Sequence, residues 1–167
     1  MEDKNLHKIF EEVYQLQAKA IFRFVYFKVS DYELAQDITA ETFLRFWKVL
    51  SGQGNIQNRR ALLYTISNGL VIDYYRKAEH KKKVAISKID ENLVFVTDSL
   101  EEKLDAKTQL QQVLAALQKI KKEYRDVLLL YYVDELKVSE IAFIVKKKEN
   151  AVRVLIHRAL KALKDVL

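Results

Sequence analysis

The sequence predicts an all-α protein made of two small helical domains joined by a linker. Three observations carry this. The chain of 167 residues holds no proline and only three glycines, so long stretches lack the residues that break helices. Its apolar residues recur at spacings of three and four. That periodicity fades in the middle of the chain and resumes beyond it, which separates residues 1–79 from 107–167 by a linker at 80–106.

The first helical stretch covers residues 4–29, as one helix or a pair, with Leu6, Ile9, Phe10, Val13, Tyr14 and Leu16 as its stripe and Ala20, Phe24 and Phe27 continuing it. Ser30-Asp31 supplies a break and a cap. A second helix follows from about Tyr32 to Leu50, apolar along Ala35, Ile38, Thr42, Phe43, Phe46, Trp47 and Leu50. Asp37, Glu41, Arg45 and Lys48 form a polar stripe on its other side. Residues 51–58 make a glycine-bearing polar loop. A third helix runs from about Arg59 to Lys77, with Leu62, Leu63, Ile66, Leu70 and Tyr74 toward a core. After the linker, helical patterning resumes near Leu104, with one face at Leu110, Val113, Leu114 and Leu117 and another at Tyr124, Val127, Leu128 and Tyr131. Two more helices span Val138 to Leu167, interrupted at Lys146–Lys148.

Charge is segregated. The net charge is +6. Residues 1–79 hold 11 Lys/Arg against 10 Asp/Glu, residues 80–106 hold 5 against 6, and residues 107–167 hold 13 against 7. The excess therefore sits in the last third, where it raises the local potential for a polyanion. Several chemistries are excluded or unsupported. Without cysteine there is no disulfide, thiol catalysis or cysteine-based zinc site. His7, His80 and His157 lie far apart, and no phosphate loop or nucleophile motif occurs. A non-catalytic protein without metal or cofactor is expected. No apolar signal core opens the chain, and no stretch approaches the roughly 18 to 20 apolar residues of a membrane span, so a cytoplasmic location is expected.

The last two helices have helix-turn-helix logic. Ile141 and Val145 give the first helix its core contacts, and Ala142 offers a small side chain at a close crossing. Val152, Ile156, Ala159 and Leu163 form the buried stripe of the second helix. Asn150, Arg153, Val154, His157, Arg158, Lys161 and Lys164 fall on its opposite side, and Lys147 and Lys148 of the turn extend the basic surface. A major groove admits one α-helix, and residues near its N-terminus reach base edges. Arg153 suits guanine and Asn150 adenine, while Lys161 and Lys164 suit phosphates. A basic amphipathic helix alone is more often a solvated face; the short preceding helix and compact turn favour DNA recognition.

These residues resemble region 4 of the sigma-70 family, through Glu140-Ile141-Ala142, Ala151-Val152-Arg153 and Leu155-Ile156-His157-Arg158-Ala159, with Tyr124-Arg125-Asp126-Val127-Leu128 and Tyr131-Tyr132 upstream. The first half independently resembles region 2, through Ala35-Gln36-Asp37-Ile38-Thr39-Ala40-Glu41-Thr42-Phe43-Leu44, Leu63-Tyr64-Thr65-Ile66 and Ile72-Asp73-Tyr74-Tyr75-Arg76. Two such regions in this order are the plan of the extracytoplasmic-function (ECF) type. The resemblance implies core RNA polymerase and promoter DNA as partners, and admits an anti-sigma factor. It places Asp37, Ala40, Glu41 and Leu44 on the polymerase clamp. It assigns the basic face of the last helix to the −35 element. It assigns Asn55, Gln57, Asn58, Arg59, Arg60, Tyr64 and Asn68 to an unpaired −10 base and its flanking phosphates. Amides suit base edges, arginines suit phosphates, and a tyrosine ring can stack, although for Tyr64 an ordinary core place stays equally open. The chain departs from the family at Lys146, where glycine is common in the turn, at Lys148, where a serine or threonine cap is usual, at Ala40 and at Gly69. Three rivals are weighed at this point: a helix-turn-helix regulator that acts without polymerase, an enzyme such as a helical hydrolase, for which the sequence offers no motif, and a helical adaptor.

Overall fold

Long runs without helix breakers become long helices. A computed structural model describes residues 2–52, 54–79 and 100–167; the side chains of residues 2–3, 100–108 and 110 lie outside this description. Helices α1 (Glu2–Val29), α2 (Tyr32–Ser51) and α3 (Arg59–Glu79) build the first half. Helix α4 (Leu100–Lys119), α5 (Lys122–Leu128), a π-helical turn (Leu129–Val133), α6 (Val138–Val145) and α7 (Glu149–Val166) build the second. The described residues contain no strand. They divide into two compact units, one based on α1–α3 with Ala142–Lys146, the other on α4, α5, the π turn, the start of α6, and Lys147–Leu167. Residues 80–99 of the expected linker lie outside the described residues. Its end, 100–106, is helical and belongs to α4, which starts four residues before the clear periodicity at Leu104.

In the first unit each helix packs on the other two. Ile21, Phe24 and Val25 of α1, Ala35, Ile38, Phe43 and Phe46 of α2, and Ala61, Leu63, Tyr64 and Val71 of α3 form the core. The α1–α2 seam is aromatic. Phe10 meets Trp47 edge-on at 5.4 Å, and Tyr14 meets Phe43 at 4.8 Å. Trp47 is half-buried and also stacks on His7. Leu16 is not part of the seam: it is 76% exposed, because Gln17 follows Val13 on the inward side. The turn after α1 is made by Ser30 at φ 52°, whose N–H donates to the Tyr26 carbonyl. Asp31 then caps α2, its Oδ1 accepting from the Leu34 N–H at 2.9 Å, a contribution of about 1 kcal/mol.

The buried face of α3 is rotated from the expected one. Ala61, Tyr64, Ser67 and Val71 point inward with Leu63, whereas Leu62, Ile66 and Leu70 are half-buried and Tyr74 is exposed. Apolar residues lie almost all round this helix, so its own pattern does not choose a face. Partners on α1 choose it. Phe24 meets the Tyr64 ring at 5.1 Å, and Lys28 Nζ donates to Asn68 Oδ1 at 3.0 Å. The Lys28 carbonyl also accepts from the Tyr75 hydroxyl.

In the second unit α7 packs on α5 and α4. Ala116, Leu117, Val127, Leu128, Leu129, Leu130, Leu136, Val152, Ile156 and Ala159 are buried. The apolar run at 127–133 is wound wider than an α-helix at its end, the Asp134 N–H reaching back to the Leu129 carbonyl. This turns Tyr131 and Tyr132 outward, so Tyr131 is not a core residue. Glu135 at φ 51° ends the turn. Lys137 then opens α6, and the Glu140 carboxylate reaches back to the Lys137 N–H at 2.9 Å, the return half of a capping box. Ile141, at the end of this unit's share of α6, is buried.

Candidate nucleic-acid interface

The amphipathic pattern of α7 fixes what it displays. Val152, Ile156 and Ala159 are buried, with Leu163 half-buried behind them. The seven residues expected to face DNA, Asn150, Arg153, Val154, His157, Arg158, Lys161 and Lys164, are all exposed. They recur in steps of three and four (150, 153/154, 157/158, 161, 164), so they line one surface through about four turns. Val154, half exposed, is the apolar member of that face, of a size to meet a thymine methyl.

Three lysines lead into this helix. Lys146 adopts φ 54°, the left-handed region that disfavours a side chain. Lys147 is held, its Nζ 3.1 Å from Glu123 Oε1 of α5. Lys148 takes the N-cap position with an extended backbone and no side-chain cap, since an ammonium cannot accept a hydrogen bond. At the first turn, Arg153 donates through Nη1 to Asn150 Oδ1 at 3.0 Å and through Nη2 to Glu149 Oε2 at 3.1 Å. Sequence reasoning left Glu149 out of the site, although its i,i+4 spacing to Arg153 was the signal.

In the first unit the loop before α3 is anchored at both ends. Gly54 approaches the end of α2 so closely that a Cβ there would lie 3.3 Å from the Val49 carbonyl oxygen. Asn58 caps α3, its Oδ1 accepting from the Ala61 N–H at 2.9 Å. Asn55, Gln57, Asn58 and Arg59 are exposed, and Arg60 is half-buried. Two members of the expected −10 set lie elsewhere. Tyr64 is fully buried against Phe24 and cannot stack on a base, which corrects its assignment. Asn68 is half-buried, with its carbonyl oxygen directed to Lys28.

On α2, Asp37, Ala40 and Leu44 are exposed and Glu41 is half-exposed. Glu41 is also engaged by Arg45 Nε at 2.7 Å. The face thus combines an unburied carboxylate, a paired one and a 49% exposed leucine. No group of acidic, histidine or cysteine side chains that could hold a metal occurs among the described residues. No described helix is long and apolar enough to cross a membrane.

Residues 13–81 match the family model of sigma-70 region 2, and residues 110–163 that of sigma-70 region 4. The chain is 28% identical over 155 residues to the ECF RNA polymerase sigma factor SigM of Bacillus subtilis, covering 92% of each protein. It is equally 28% identical over 155 residues to the RNA polymerase sigma factor YlaC of the same organism, covering 92% of this chain and 89% of YlaC. The fold matches that of the sigma factor RpoE from Bartonella quintana, solved with the anti-sigma factor NepR, with a TM-score of 0.73 at 20% identity over 95% of this chain and 96% of that one. With both regions present in order on two helical units, the chain belongs to the sigma-70 family, as an RNA polymerase sigma factor of the ECF type.

Proposed function

We propose that α2 docks this factor on core RNA polymerase through Asp37, Ala40, Glu41 and Leu44, and that the two helical units then read a promoter at separate elements. The exposed face of α7, with Lys148 at its start, reads the −35 duplex. Arg153 and Asn150 address bases, His157 and Arg158 lie one turn further on, and Lys161 and Lys164 hold phosphates. The loop residues Asn55 and Gln57, with Arg59 and Arg60, engage the unpaired −10 strand. Asn58 shapes that loop by capping α3. Such a role is cytoplasmic and non-catalytic. An anti-sigma factor is a further partner of this reading, by likeness to the RpoE–NepR pair.

The observation that carries the proposal is the sorting of α7 into a buried stripe and an opposite face of exposed cations and amides. The test is binding of the full chain to a panel of duplexes. Arg153→Ala relaxes preference at one promoter position, a bidentate contact being worth about 1–3 kcal/mol of discrimination. Lys161→Ala weakens binding to all sequences alike and lowers the salt slope by about one. Loss of sequence preference at Lys161 alone contradicts the register proposed for α7.

A further inference from the structure

Resting on the reading that α7 binds duplex DNA, we propose that Glu149 is a specificity-determining residue that restrains Arg153 from capture by the DNA backbone. The guanidinium is already engaged on its own helix, by the Glu149 carboxylate at 3.1 Å and by Asn150 Oδ1 at 3.0 Å. Glu149 opens the helix directly after three lysines, and Asp165 near the far end is the only other acidic residue of α7. An anion is therefore present where the face is otherwise built to attract a polyanion.

Its effect differs between the two things Arg153 can meet. A phosphate that takes the guanidinium must displace the carboxylate and then lie beside it, like charge against like. A guanine edge offers two neutral acceptors, O6 and N7. Arginine has five N–H donors in a fixed fork, so it can reach that edge and still keep one bond to Glu149. Glu149 thus penalises phosphate capture more than base reading, and the same carboxylate fixes the fork that guanine receives. Discrimination of this kind comes from weakening the wrong complex as well as strengthening the right one. Both side chains are about half exposed, so solvent screens the pair and the effect is small, on the order of two- to fivefold.

The experiment uses the full chain and two probes: poly(dA-dT), which lacks the O6/N7 acceptor pair of guanine, and a duplex enriched by the chain itself from a randomised pool. Glu149→Gln keeps the shape and removes the charge. It tightens binding to poly(dA-dT) about two- to fivefold and tightens binding to the enriched duplex less, so the ratio of the two affinities falls. In an Arg153→Ala background the same substitution leaves that ratio unchanged. Asp165→Asn, an equal charge change remote from Arg153 in sequence, does not shift the ratio in either background. An equal gain on both probes overturns the proposal, because Glu149 then acts only as a general charge. A loss on both probes with a lower melting temperature also overturns it, because Glu149 then serves only the helix end. If no duplex is enriched, or Arg153→Ala leaves preference intact, the reading of α7 itself fails and the proposal falls with it.

Discussion

The ammonium of Lys28 on α1 donates to Asn68 Oδ1 on α3 across 3.0 Å, in a site where Lys28 is only 7% exposed. The same ammonium lies over the Phe24 ring, 4.8 Å from its centroid, and the Lys28 carbonyl accepts from Tyr75. One residue therefore ties the end of α1 to two positions about two turns apart on α3. A hydrogen bond to a charged group contributes about 1.5–3 kcal/mol, and removing one partner in a buried site costs at least as much. Asn68→Ala is expected to lower stability by that amount in urea unfolding. An unchanged midpoint would show that the amide does not hold the helices together.

Tyr64 yields the opposite expectation from the one its ring suggests. It is fully buried, so Tyr64→Ala should cost about 3–5 kcal/mol, as for other large core truncations. Tyr64→Phe keeps the ring against Phe24 and should leave −10 preference unchanged when promoter variants are compared. Asn55→Ala and Gln57→Ala should do the reverse, with stability altered by no more than about 0.5 kcal/mol and −10 preference changed.

The glycines and the left-handed residues of this chain are in each other's places. Ser30, Glu135 and Lys146 have φ near 50°, and no described glycine has positive φ. Gly69 instead stands inside α3, exposed, and beyond its chain neighbours and the adjacent helix backbone nothing lies within 4 Å of where a Cβ would be. Gly69→Ala should therefore stabilise the protein by about 0.5–1 kcal/mol. Thermal unfolding of the single variant checks this; a lower melting temperature would contradict the open space seen beside it.

Lys146→Gly is the companion case. A left-handed residue with a side chain costs roughly 1–2 kcal/mol, and the extra freedom glycine brings to the unfolded chain offsets part of that gain. A net stabilisation of about 0.5–1 kcal/mol is expected by urea unfolding. A destabilised variant would mean that the Lys146 side chain makes a contribution larger than its backbone strain.

Much of this is legible in the sequence. Helix α2 announced itself through an apolar stripe and the Ser30-Asp31 break, and the start of α7 through the break at Lys146–Lys148. The Lys146–Lys148 departures also translated directly into positive φ and an uncapped helix start. What stayed hidden depended on partners distant in sequence. The face of α3 was chosen by Phe24 and Lys28, some 40 residues away. The π turn arose in the unbroken apolar run 127–133, which carries no period to read. Within the candidate site, the α7 face was readable because burial and exposure alternate along one helix. The −10 set was not, because burial of Tyr64 and the inward direction of Asn68 are properties of the three-helix packing.

The polymerase contact rests on a small patch. Glu41 already has Arg45 as a partner, about half exposed, at 2.7 Å, while Asp37 is exposed one turn before it. Surface pairs of this kind contribute about 0–1 kcal/mol, so Glu41→Lys should barely alter folding. Asp37→Lys with Glu41→Lys should weaken binding to core polymerase in a pull-down titration, with an unchanged helical circular dichroism spectrum. Unchanged affinity would remove these two carboxylates from the interface.

The most direct measurement is run-off transcription by purified core RNA polymerase on a promoter library, with and without the purified chain. The account predicts that adding the chain produces transcripts from a subset of templates sharing two spaced elements. It also predicts that Asp37→Lys with Glu41→Lys diminishes all of them together, while Arg153→Ala broadens the upstream element alone. A chain that binds duplex DNA yet leaves core polymerase silent on every template would contradict it.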